Sequence, residues 1–380
     1  MHRLVLTAAV MASLALGATV YAAELDGDKA AVQVTHPDAS SASDERAEME
    51  AILGVDVVRE VEEWDQAAAR ARHEHTLGLV ARGDRDSLLA AVYLSPRFAS
   101  GDVPAITDDQ RARWFAQVRD RAPDEPLVAW LEATGCVPML EAMPCDQAGA
   151  LQRLARIDPD NAAVWVELMA AAQREGDRER EAELLARAAS SARYDTYDVA
   201  FGRMLLAAND GFASMLPPIP HGVQAALEAS DAGGVGEQLP ELSLILAKGS
   251  YSYGSLQAMF NACRGEDGAV IESRRADCMM LAKTAYEDST SLLLRSVGTG
   301  LMVRLTKGEP EHARWLQRRH AQRWQQEQFA ALVTPMPPPS YTRRWMEDGE
   351  LPALMQLLAE NDIPEQPPAA WQAAYPHDDS

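Results

Sequence analysis

Several residue groupings in this 380-residue chain have types and spacings that chemistry uses. His73-Glu74-His75 is the first. On a helix, positions i and i+2 point apart, so these two imidazoles do not share a metal. The metalloprotease pattern needs histidines at i and i+4 with a glutamate between them. A surface helix is the better reading. His221, His312 and His320 stand alone in sequence. Ser252 lies in GSYSYGS, but Ser250 stands where a nucleophile elbow needs glycine, and no strand precedes it. Gly298 and Gly300 lack the third glycine of a dinucleotide loop, and close approach of a neighbouring helix explains them better. Glu266 and Asp267 in the GEDG turn offer too few oxygens in register for calcium, which favours a solvated turn. The 57 carboxylates guarantee chance pairs, and spacing alone does not set any two at a glycosidase separation. No catalytic, cofactor-binding or metal-ligating residue is therefore assigned, and no cofactor is implied.

Cys136, Cys145, Cys263 and Cys278 form two local pairs, C-x8-C and C-x14-C. Neither has C-x2-C spacing and no histidine lies near, which disfavours zinc. Two disulfides are the expectation in an oxidising compartment, and pairing within each local pair is the simplest of three connectivities. Each would remove about 3 kcal/mol of unfolded-chain entropy.

The stretch EHARWLQRRHAQRWQQEQF, 311–329, concentrates Arg314, Arg318, Arg319 and Arg323 on one helix of an acidic protein, with Trp315 and Trp324 among them. Arginine and tryptophan are the residues that most often anchor binding surfaces. One reading is a dock for an anionic partner built on Arg314, Trp315, Arg318, Arg319 and Arg323. The preferred one buries the tryptophans and pairs the arginines with the acidic majority.

These groupings need a frame. The first residues, MHRLVLTAAVMASLALGATVYAAELDG, carry a basic start, an apolar run from Leu4 to Val20 and a small-x-small site. This predicts a signal peptide over 1–22, cut after Ala22, with an uncleaved anchor as the rival. Residues 23–42 are small and polar, a flexible leader. No later apolar run is long enough to span a bilayer, so no stable membrane insertion is expected after cleavage. A formal charge of −22 disfavours nucleic acid and anionic lipid surfaces as partners. Hydrophobic residues make up 47% of the chain, ample for a core.

Helical periodicity begins near Ser43, where Met49, Leu53, Val57, Val61 and Trp64 recur on one face. A turn at Gly83-Asp84 follows, then a helix capped by Thr107. APDEPLVAW returns as DPDNAAVW, with Pro123 and Pro159 36 residues apart. Periods of this size mean stacked helix pairs. LQRLARIDPDNAAVWVELMAAAQREGDREREAELLARA resembles a tetratricopeptide repeat. Trp165 and Leu168 match its first helix, Gly176-Asp177 its turn, and Leu185 and Ala188 its second helix. Met169, Ala172, Glu181 and Arg193 depart from the pattern. The resemblance covers 123–193 and implies a scaffold that holds a protein or peptide partner.

The expected fold is all-α: stacked antiparallel helix hairpins, a tetratricopeptide-like α-solenoid, with a C-terminal helical bundle as a further element. The repeat region spans 43–208, a loop-rich linker 209–237, a C-terminal helical region 238–362, and an irregular, proline-rich tail 363–380. Three functions follow: an exported non-enzymatic scaffold in the bacterial cell envelope, which leads; an exported helical hydrolase using acid–base carboxylates; and a structural module without a ligand.

Overall fold

The computed structural model describes residues 47, 50–51, 54–96, 99–134, 146–229, 235–251, 253–265, 268–333 and 337–371. The segments expected to be a signal peptide and leader (1–42), Cys136 and Cys145, Ser252, Glu266, Asp267 and the last nine residues lie outside these. Among the described residues no strand forms; extended pairing is limited to three isolated bridges.

Sixteen α-helices are seen among the described residues. They are α1 (Val55–Arg82), α2 (Arg85–Leu94), α3 (Asp108–Arg121), α4 (Pro126–Thr134), α5 (Gln147–Ile157), α6 (Ala162–Glu175), α7 (Arg178–Ser190) and α8 (Asp198–Ala208). They continue as α9 (His221–Ala229), α10 (Val235–Gly249), α11 (Leu256–Cys263), α12 (Arg275–Glu287), α13 (Leu292–Leu305), α14 (His312–Leu332), α15 (Pro339–Asp348) and α16 (Glu350–Glu360). Local chemistry sets their ends. Thr107 and Gln110 cap α3 reciprocally, each side chain accepting from the other's backbone N–H at 3.2 and 2.9 Å. Gly176 closes α6 in the left-handed conformation, φ 74°, and Asp177 opens α7 by accepting from Arg180 N at 3.0 Å.

The helices divide into two compact units, each built from two stretches of sequence. The first takes residues up to Trp114 together with Ala208–Gly249. In it α1 and α2 fold back on each other, α9 packs on α1, and α10 on α2. Val58, Trp64, Ala68 and Leu79 of α1 are buried, as are Leu88 and Leu89 of α2. Trp64 donates its indole N–H to Pro217 O at 3.1 Å. The 209–237 segment, read from its glycines and prolines as a loop-rich linker, instead carries a 3-10 turn, all of α9 and the start of α10. Its breaks separate short helices that belong to this unit.

The second unit takes Phe115–Ala207 and the chain from Ser250 onward. Neighbours pack in succession: α4 on α5, α5 on α6, α6 on α7, α7 on α12, α12 on α13 and α13 on α14. The step from α7 to α12 skips the chain between Ser190 and Arg275. Val164, Met169, Leu185 and Ala188 are buried between these helices, and Trp165 is packed with its indole N–H on Pro159 O at 2.7 Å. Gly298 lets α13 approach α12: a Cβ there would lie 2.7 Å from Ala282 O and 2.9 Å from Tyr286 N. Gly300 faces open space, so the two glycines noted in sequence have different roles. At the far end Leu292 packs with Leu354 and Leu358, and Tyr341 with Ala353 and Leu357. Residues 361–371 lack regular helix yet are bound: Pro364 O and Glu365 O accept from the Trp324 and Gln325 side chains at 2.8 and 2.9 Å.

Candidate functional site

Polar groups inside the second unit gather along one seam. It starts where α5 meets α6. Asn161, fully buried, opens α6 by accepting from Ala163 N at 3.2 Å. The same carboxamide reaches the segment after α7: its Nδ2 donates to Asp158 Oδ2 at 3.0 Å and Asp195 O at 2.8 Å, and its Oδ1 accepts from Asp195 N at 2.9 Å. Arg193 then bridges Asp158 at 2.5 Å and Asp195 at 3.0 Å. Arg193 thus ties the chain's exit from α7 to the entry of α6.

Tyrosines line the rest of the seam. The Tyr197 hydroxyl donates to Asp158, and its backbone, at a φ of 59°, is held by a 2.7 Å bond from its N–H to Asp195 Oδ1. Tyr194 donates its backbone N–H to Asp288 at 3.3 Å, and Tyr251 donates its hydroxyl to Thr196 O. Burial pushes the Tyr194 hydroxyl far above the usual phenol range, with the Glu167 charge adding to it. Burial and then the Asp158 carboxylate do the same to Tyr197. Burial, followed by the charges of Asp198 and Glu350, raises Tyr253. These three phenols stay neutral at physiological pH and serve as hydrogen-bond donors. Beside them opens a cavity of about 330 Å³, lined by Arg193, Tyr194, Asp195, Asp288, Ser289 and Leu294 among others. Its lining is rich in hydrogen-bonding groups, several of them already engaged within the seam.

Among the described residues the second unit also buries three glutamates. Glu132 on α4 is met by Arg119 of α3 at 3.4 Å and by Arg153 of α5. Glu181 on α7 is met by Arg178 at 3.1 Å, Arg274 at 3.2 Å and the Gln173 amide at 3.0 Å. Glu167 on α6 accepts from both the backbone N–H and the hydroxyl of Ser255, the latter at 2.9 Å. Burial raises the Glu167 carboxyl above the usual carboxylate range, and the Ser255 bonds pull part of the way back. An ionised carboxylate is costly to bury without such partners. Trp130-Leu131-Glu132 and Trp165-Val166-Glu167 place a buried Trp and a buried Glu at matching points of α4 and α6. Sequence reasoning missed this Trp-x-Glu repeat, although its signal lay in the aligned tryptophans.

The other sequence candidates sit apart from the seam. Cys263 and Cys278 stand at disulfide distance with Cα atoms 5.9 Å apart, joining α11 to α12. On α14, Trp315 and Trp324 are buried. Arg318 lies over the Trp315 ring at 4.3 Å and the Tyr286 ring at 4.9 Å. Arg314 is exposed, whereas Arg319 and Arg323 project roughly 140–180° round the helix from it. Arg319 and Arg323 border a separate concavity of about 340 Å³ with Leu316, Gln317 and His320. The four arginines therefore do not form one patch. His73 and His75, read as surface, are half-buried in the first unit, where His75 stacks on Phe212 at 4.9 Å. Among the described residues no group of three or more His, Cys, Asp or Glu is placed to hold a metal, and no helix is long and apolar enough to cross a membrane.

Set against known proteins, the chain matches no family model, no curated protein and no solved structure.

Proposed function

We propose that this chain is an exported, non-enzymatic helical scaffold of tetratricopeptide-like design that holds a protein or peptide partner in the bacterial cell envelope. One observation carries the reading: α4, α5, α6, α7, α12, α13 and α14 pack one on the next in unbroken spatial succession. A stack of this kind exposes long, side-by-side helix surfaces suited to a partner segment. The polar groups it buries are spent on joining helices, as with Glu132, Glu181 and Asn161. The sequence of the first 22 residues and the Cys263–Cys278 pair support export.

Mild cross-linking in envelope extracts, followed by reconstitution from purified components, tests the reading. The expected result is one partner at fixed stoichiometry. The hydrolase alternative draws on the Asp195 and Asp288 carboxylates at the cavity. Turnover of glycan or peptide substrates, abolished by Asp195→Asn or Asp288→Asn with no stoichiometric partner, would establish it instead.

A further inference from the structure

Helix α11 is placed differently from its neighbours. The stack is continuous without it, because α7 packs directly on α12. α11 lies over α6, α7, α12 and α13 together, as a cover across their shared surface. It has eight residues, far too few to be helical alone in water. Its conformation is therefore imposed by what it rests on.

The surface beneath holds this segment largely by its backbone. Glu167 accepts from Ser255 N and Oγ. Gln173 donates to Ala258 O at 3.0 Å, and Arg274 to Ala262 O at 3.1 Å. These bonds read main-chain groups, which any peptide carries. Side-chain selection is modest but definite. Counting from Ser255, Ala258, Met259, Ala262 and Cys263 fall at positions three, four, seven and eight, and all four are buried. That is the stripe of a helix laid in a groove. Met259 Sδ accepts from the Tyr194 hydroxyl at 3.7 Å. Gly254 precedes Ser255 at a φ of 82°, and a Cβ there would collide with Glu167 Oε1 and touch Trp130. The groove thus selects glycine, then a hydroxyl residue, then small or flexible apolar side chains at those four positions.

We propose that this groove is a peptide-binding site which the chain fills in cis with Tyr253–Arg264, and that the Cys263–Cys278 tie keeps the internal ligand in place. A partner helix bearing the same Gly-Ser start and apolar stripe occupies the groove once the tie is absent. The tie raises the effective concentration of the internal ligand, so a free peptide cannot compete while it is intact. Cys263 and Cys278 are each about 1% exposed, so the tie is reached only in transient local openings of α11. A dithiol then opens it, its two thiols becoming a disulfide while Cys263 and Cys278 are each left as a thiol.

This inference deepens the partner-binding reading and rests on it. The test uses the full chain and a fluorescein-labelled peptide of residues 253–264 carrying Cys263→Ala. With the Cys263→Ala, Cys278→Ala double variant, fluorescence anisotropy should show saturable binding at least about tenfold tighter than with the oxidised wild type. Adding Gln173→Ala, or Gly254→Ala in the peptide, should weaken it. Hydrogen exchange should show α11 losing protection in the double variant while α6 and α7 keep theirs. Equal affinity for both chains, or unchanged α11 protection, overturns the proposal. If the double variant loses helical signal by circular dichroism, wild type held in a dithiol reductant supplies the same comparison. A chain that ignores the peptide yet binds its envelope partner normally loses only this groove, not the scaffold role.

Discussion

At the scale of single residues, the second unit depends on carboxylates that are inside and matched. Glu132 is about 1% exposed and stands between two arginines. Glu132→Ala removes the carboxylate that Arg119 and Arg153 share and should cost about 1–3 kcal/mol in urea unfolding, more than an alanine at an exposed glutamate such as Glu183. Glu167 has a pH signature. Its folded-state carboxyl titrates above the unfolded value, so the ionised form favours the unfolded chain. Glu167 therefore costs nothing in acid, and its penalty grows as pH rises above about 4 until the raised folded value is passed. Stability measured against pH should fall less steeply over that window in Glu167→Gln than in wild type. Sequence gave no way to choose these acids among 57. The partners of Glu132 lie 13 and 21 positions away and that of Glu167 lies 88 away, so only the fold brings them together. Trp165, Leu185 and Ala188 were legible because their packing partners belong to the same local hairpin.

At the scale of elements, helix spacing is set by small residues, and here the two sequence-noted glycines separate cleanly. Gly298→Ala forces a methyl against the α12 backbone and should destabilise by about 1–3 kcal/mol. Gly300→Ala meets nothing within 4 Å on the same helix and should be neutral or stabilising by about 0.5–1 kcal/mol. Chemical denaturation of the two variants checks both; equal losses would contradict the close approach of α12 and α13. Both glycines look alike in an apolar helix, and only the register of the neighbour tells them apart. Helix existence was easy to read, because caps such as Thr107 and Asp177 are local chemistry. The placement of α11 was not, since it is fixed by bonds to Glu167 and Gln173, far earlier in the chain.

At the scale of the molecule, the two units should melt as separable cooperative transitions, each responding to its own residues. Burial lowers the His75 imidazole below its usual range, with the Arg82 charge adding and a bond to the Ala208 backbone opposing. The stability this neutral imidazole supports is complete above about pH 6.5 and is lost as pH falls toward the depressed folded value. His75→Gln should flatten the acid sensitivity of the first unit's transition alone, and Gly298→Ala should lower the second unit's alone. Calorimetry between pH 5 and 7.5 reads both; a single transition moved by either variant would refute the division. The domain plan was the least legible feature, because local composition marks breaks in the chain and is silent on which helices reunite across them.

That reunion governs biogenesis. The helices that cover α1 and α2 end at Gly249, beyond α3 to α8, and the partner of α7 begins only at Arg275. A nascent polypeptide cannot complete either unit until well over half of it has left the ribosome. Products terminated before these helices should therefore expose greasy surface and be cleared by proteases more readily than the full chain.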